Sequence, residues 1–193
     1  MALPSWAPPE QDKPAPMPLL LVQSFINTRE IEKGTDQLLD DPRGAQAWLA
    51  CAELIPAQTP VGAAQLREAR AVREGLRALV RPNSDGTPPS PKDLDALRRV
   101  VSRRRPAVRV ERSGRVVLAV GDATDLVDGL LGILLIVRDA QVDGTWRRLK
   151  LCANPDCESA FFDRSRNRQG TWCSMAKCGN RLKNRRFRAR GQQ

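Results

Sequence analysis

The stretch LCANPDCESAFFDRSRNRQGTWCSMAKCGNRLKNRRFRAR, residues 151–190, holds four of the five cysteines of the chain. They are spaced Cys152-x4-Cys157-x15-Cys173-x4-Cys178. Two close pairs at this separation can bring four thiolates to the corners of a tetrahedron. Zn²⁺ prefers that geometry, and a site with four protein ligands leaves no position for water, so it is structural. The intervening residues agree. Asn154 and Pro155 are turn formers inside the first pair. Phe161 and Phe162 read as a strand beyond it, and the second pair flanks SMAK and runs into a helix. Knuckle, hairpin and ligand-bearing helix predict a treble-clef-like zinc finger holding one zinc on Cys152, Cys157, Cys173 and Cys178. Two disulfides are the competing reading, disfavoured where no secretion signal is visible. Iron–sulfur ligation also suits four thiolates, but no ferredoxin spacing is present.

The same stretch explains the charge of the protein. Residues 147–193 carry 13 Lys/Arg against 3 Asp/Glu, while residues 1–146 carry 19 of each sign. The whole net charge of +10 therefore lies in the last quarter of the chain. Such a block seeks a polyanion, nucleic acid being the commonest. Arg164, Arg166 and Arg168 alternate along a loop. Arg181, Lys183, Arg185, Arg186, Arg188 and Arg190 follow the last cysteine, and at about a hundred degrees per residue they wrap more than one face of a helix. Arg suits bidentate contacts with phosphate or guanine. Asn180 is open to two readings, an adenine contact or a cap.

Upstream, the pattern is helical. The leader MALPSWAPPEQDKPAPMP has six prolines in residues 1–18 and reads as disordered. A short buried helix begins near Leu19. Asp41–Pro42, Thr59–Pro60 and Ser90–Pro91 each carry a helix-start signature. Leu66, Ala69, Val72, Leu76 and Leu79 recur at the helical period, with Pro82 as the expected stop. On the same helix Arg67, Arg70, Arg73, Arg77 and Arg81 form a stripe, read as a solvated face. Alternation around Ser113–Gly114 predicts a β-hairpin. The stretch DATDLVDGLLGILLIVRDAQV, residues 122–142, returns to helix and is apolar almost all round after Asp128, as befits the centre of a fold. Cys51 reads as a small core residue. The fold class is thus α+β: a mainly helical N-terminal domain with a β-hairpin over residues 19–145, and a zinc finger with a basic C-terminal helix over 146–193.

The motifs WCSMAKCGNRLKNRRFRAR and WRRLKLCANPDCESAFFDRSRNRQGTWCSM resemble the CGNR zinc-finger family, whose tetrapeptide stands here as Cys178-Gly179-Asn180-Arg181. FINTRE and GTDQLLDDPRGAQAWLA resemble the opening of its usual N-terminal partner, the ABATE domain. The resemblance covers nearly the whole chain after the leader and is most specific in the finger. It implies the four cysteines as zinc ligands, and a family generally described as stress-induced transcription regulators.

The function these signs predict is a zinc-binding transcription regulator. Its finger and basic helix contact nucleic acid, with DNA placed first on the family description. Its N-terminal domain senses a small molecule or a protein, with Asn27, Thr28 and Trp48 as a candidate pocket. RNA binding and protein docking around a purely structural zinc remain the alternatives. An enzyme is disfavoured: histidine is absent, no Gly-rich phosphate loop is visible, and four thiolates leave zinc no open position. The most apolar run, residues 129–137, falls short of the ~20 residues of a bilayer span, so a soluble cytoplasmic protein is expected.

Overall fold

The computed structural model describes residues 3–7, 12–31, 33–36, 41–121, 123–183 and 185. Among the described residues, five α-helices build the frame: α1 Leu19–Ile26, α2 Pro42–Cys51, α3 Ala63–Asp85, α4 Asp95–Arg103 and α5 Leu126–Val142. Three two-stranded antiparallel hairpins lie between and after them. They are β1 Arg29–Glu30 with β2 Thr35–Asp36, β3 Ala107–Val110 with β4 Val116–Ala119, and β5 Leu149–Leu151 with β6 Ala160–Phe162. The α+β class read from the sequence is the fold observed.

Local chemistry sets the helix ends. The Asp41 side chain accepts from Arg43 N, with Pro42 in the first turn of α2. Asp125 caps α5 by accepting from Asp128 N. Ser90 and Asp93 bond each other reciprocally ahead of α4, which starts through a 3₁₀ turn at Lys92–Leu94. Two ends differ from expectation. Helix α3 starts at Ala63, after an N-cap at Gly62, rather than at Thr59–Pro60. It also runs through Pro82 to a left-handed cap at Gly86. Proline removes one helical donor, but the turn it enters is held from outside: Asn83 donates to the Trp146 and Leu149 carbonyls, and Ser84 Oγ accepts from Leu151 N.

One apolar core joins all of this. Phe25, Ile26, Leu49, Val72, Leu76, Leu130 and Ile133 are buried in it, and so are Leu149, Leu151, Ala160 and Phe162 of β5 and β6. Helix α5 is central, as its composition requires. It passes so close to Leu54 that a Cβ on Gly129 would sit 2.0 Å from the Leu54 carbonyl oxygen. The last hairpin is therefore built onto α3 rather than tethered beside it.

Three expectations are corrected by this packing. The proline-rich leader, read as disordered, is held at several of its described residues: Ala7 and Ala15 are buried, Ala15 N donates to Gln23 Oε1, and the Lys13 carbonyl accepts from Gln23 Nε2 and Phe162 N. Prolines remove donors and favour an extended chain, and α1 and β6 use the groups that remain. The arginine stripe of α3 is not simply a solvated face. Arg73, 2% exposed, forms a bidentate pair with Asp36 at 2.7 and 2.6 Å and also donates to Thr28 Oγ1. Arg77, also buried, donates to the carbonyls of Glu158 and Ile26. Cys51 is exposed near the end of α2, not in the core, with its Sγ 3.1 Å from Ser5 Oγ.

Candidate metal centre

Strand β5 delivers Cys152 and the chain turns at once. Cys157 N and Glu158 N both donate to the Asn154 carbonyl, at 2.9 and 3.0 Å, which closes the knuckle that Asn154 and Pro155 announce. Cys152 N donates to the Ser159 carbonyl, and β6 begins one residue later. The knuckle thus forms the tip of the β5–β6 hairpin. The second pair comes from the other side. Ser174 Oγ accepts from Lys177 N and caps a π-helical turn, Met175–Gly179, that continues as α-helix through 180–183 and 185. That turn carries Cys178, and Cys173 stands just before it.

The four sulfurs lie within 4.8 Å of one another. Cys173 Sγ is 3.6 Å from Cys157 Sγ and 3.6 Å from Cys178 Sγ. In a tetrahedral zinc site with Zn–S bonds of about 2.3 Å, the sulfurs stand about 3.8 Å apart. Cys152, Cys157 and Cys178 are buried and Cys173 is half-buried. The electrostatics point the same way. Hydrogen bonding with Cys152 and then Cys173 drives Cys157 far below its ordinary value, towards thiolate. The bond with Cys157 pushes Cys152 up to about 12, and bonds to Cys152 and Cys157 push Cys173 up as well. A bound divalent metal deprotonates coordinating thiols outright, so the donor set fits one zinc ion. Around the sulfurs, buried Asn154 donates from Nδ2 to Cys178 Sγ at 3.7 Å, and Ser159 Oγ lies 3.2 Å from Cys157 Sγ.

The cationic residues singled out in the sequence are placed as follows. Arg164, Arg166 and Arg168 are exposed on the loop after β6, and Arg164 Nη2 donates to the Pro14 carbonyl. Arg181, Lys183 and Arg185 are exposed on the helix after Cys178. Arg185 pairs with Asp156 of the knuckle at 2.8 Å, both side chains well exposed, an arrangement worth little in water. Arg186, Arg188 and Arg190 lie outside the described residues. Asn180 sits inside the helix and is exposed, so the cap is Ser174.

The candidate pocket of Asn27, Thr28 and Trp48 is not assembled. Asn27 clamps Ala160 by donating to its carbonyl and accepting from its amide, at 2.9 and 2.8 Å. Thr28 is buried against Arg73, and Trp48 bonds the Trp6 carbonyl and tilts against Phe25. Asn27 borders a cavity of about 360 Å³ lined by α1, by Glu30, Ile31 and Lys33, and by the finger. Its walls include Ile31, Phe161, Lys177, Arg181 and three of the clustered cysteines, Cys157, Cys173 and Cys178.

Sequence reading missed the buried pair of Lys150 and Asp163, 3.0 Å apart. A signal was available: a lysine between two leucines of a buried strand, and an aspartate directly after Phe161–Phe162.

Comparison with known protein families agrees with the geometry. The CGNR zinc finger matches residues 148–191, and the family described as "Putative stress-induced transcription regulator" (ABATE) matches residues 20–141. Neither family is an enzyme class. Among curated proteins, no sequence matches the chain. Among the described residues, no helix is long and apolar enough to cross a membrane. Because the ABATE match spans well over half the chain, and the four cysteines of its CGNR finger converge on one candidate metal site, the protein belongs to the ABATE family, described as "Putative stress-induced transcription regulator".

Proposed function

We propose that the protein binds duplex DNA through the finger and the helix that follows Cys178, and that zinc serves to aim that helix. The observation that carries this reading is the run from Arg164 to Arg190, ten basic residues with no acid among them, joined to a metal site. Arg181, Lys183 and Arg185 leave the zinc site on one short helix with their side chains exposed. Cations on several faces of such a helix can touch phosphates on either side of a groove while one face approaches base edges. When bound, the metal ties the knuckle to the helix; with four thiolate ligands it leaves no position for a reacting water, which supports a structural role.

Titrating a labelled duplex at several salt concentrations tests the reading. Each phosphate contact should contribute about −0.9 to the slope of log affinity against log salt. Replacing Arg185, Arg186 and Arg188 by alanine should weaken binding to all sequences and flatten the slope, with zinc content unchanged. Arg181→Ala, nearest the helix start, should cost roughly 1–3 kcal/mol on a preferred site and less on random DNA. Unchanged affinity and slope in the triple variant would reassign the basic helix to a protein partner. A clear preference for RNA would replace DNA in the same surface.

Effector sensing is the second reading, favoured by the cavity between α1 and the finger. Its volume falls in the range typical of small-molecule sites. It borders both Asn27 of the ABATE region and Arg181 of the finger, so an occupant there would touch both.

A further inference from the structure

The loop that follows β6 has an unusual foundation. Asp163 is buried beneath it and binds both of its ends. Its Oδ1 accepts from Ser165 N at 3.0 Å and Ser165 Oγ at 2.6 Å, and its Oδ2 accepts from Gly170 N at 2.8 Å and Lys150 Nζ at 3.0 Å. Lys150, also buried, donates further to the Arg168 and Gly170 carbonyls. Arg148 Nη1 donates to the Asp163 and Ser165 carbonyls at 2.9 and 3.1 Å. Above this network Arg164, Arg166 and Arg168 are exposed. Arg168 takes a left-handed backbone, φ +54, which a residue with a Cβ keeps only when its surroundings hold it there.

A buried ion pair is a poor way to gain stability, since an apolar pair of similar volume often does as well. What it supplies here is a fixed backbone for a six-residue turn whose outer side carries three guanidinium groups and no acid. Gly170 is part of the same device. A Cβ at that position would lie 2.7 Å from Asp163 Cγ and Oδ1, so the carboxylate reaches the Gly170 amide only because no side chain intervenes.

We propose that residues 164–168 form a preformed phosphate-binding surface for duplex DNA, and that Asp163, Lys150 and Gly170 are the positioning residues that hold it. This deepens the DNA-binding reading above and rests on it. A loop already ordered binds without the entropy cost of being ordered at the moment of contact, so its grip depends on groups that never touch DNA.

Gly170→Ala isolates that dependence because it changes no charge and no zinc ligand. Full-length protein with one zinc bound would be titrated into a fluorescent duplex over a salt series. Three proteins are compared: wild type, Gly170→Ala, and Arg164→Ala/Arg166→Ala/Arg168→Ala. The triple variant should flatten the salt slope by up to about 2.7, three contacts at roughly 0.9 each. Gly170→Ala should bind about tenfold more weakly, the factor that ordering a single residue represents, with zinc content and helical signal unchanged. Its Ser165 amide should exchange faster with solvent. Should Gly170→Ala fail to fold, Ser165→Ala removes one strut alone and is expected to weaken binding in the same direction. If wild type binds while the triple variant and Gly170→Ala match it in affinity and slope, the loop has no such role and the helix reading stands. A wild type that binds no nucleic acid overturns both.

Discussion

Removing the metal should melt the finger only as far as the base of the β5–β6 hairpin. Beyond that hairpin the buried cluster consists of Cys152, Cys157 and Cys178, with Trp172 and Cys173 packed against it. Burying an aromatic side chain of 150–250 Å² completely contributes roughly 4–6 kcal/mol at about 25 cal/mol per Å², and Trp172 is only half-buried. Zinc in a four-ligand finger contributes about 10–16 kcal/mol. Its loss therefore exceeds what the remaining contacts supply. The hairpin itself is held differently: Leu149, Leu151, Ala160 and Phe162 lie in the main core, Asn27 clamps Ala160, and Ser84 accepts from Leu151 N. Hydrogen exchange before and after chelation separates the two parts. The amides of Cys157, Glu158, Cys178 and Gly179, whose acceptors are the Asn154 and Ser174 carbonyls, should lose protection. Those of Leu151, Ala160 and Phe162 should keep theirs within about tenfold. Loss in both sets together would show that the hairpin depends on the metal; loss in neither would show that the four cysteines are not held by one.

Two further outcomes follow from buried charges. Arg73→Met removes both bonds to Asp36 and the one to Thr28, so it should destabilise the protein by about 3–5 kcal/mol. That corresponds to a fall in Tm of roughly 10 °C, read by circular dichroism, and a shift under about 2 °C would mean that the pair contributes nothing. Asp163 gives a pH signature. Burial works to raise its pKa, but the bonds from Ser165, Lys150 and Gly170 outweigh it and hold the carboxyl well below its ordinary value of 3.8. A group depressed on folding contributes stability in full above its unfolded pKa and loses it as pH falls towards the folded one. The stability gap between wild type and Asp163→Asn should therefore be flat from about pH 7 to 5 and narrow below about pH 4. Zinc released by acid affects both proteins, so the gap isolates the carboxylate. A gap that stays constant to about pH 3 refutes the assignment.

The metal centre was legible because its chemistry is local. Two cysteine pairs, a turn former inside one and a helix after the other leave few arrangements, and the four sulfurs meet as the spacing requires. The helix start at Asp41 was similarly legible, since a cap is made by residues a few positions apart. What the sequence hid was pairing at a distance. Periodicity put Arg73 and Arg77 on the polar side of α3, but it carries no sign that Asp36 and the carbonyls of Ile26 and Glu158 would come down on that side and bury it. Nor could proline content show that the segment around Lys13 and Ala15 would be gripped by Gln23 and Phe162. These long-range bonds share a direction. Gln23, Asn27 and Arg77 all reach from the ABATE region to the backbone around β6, at Ala160 or Glu158. These bonds cross from the residues that match the ABATE family, 20–141, to those that match the CGNR finger, 148–191. The finger meets its partner on a base that α1 and α3 hold in place. Arg77 of α3 and Asn27 of α1 bond the backbone beside the zinc knuckle, at Glu158 and Ala160.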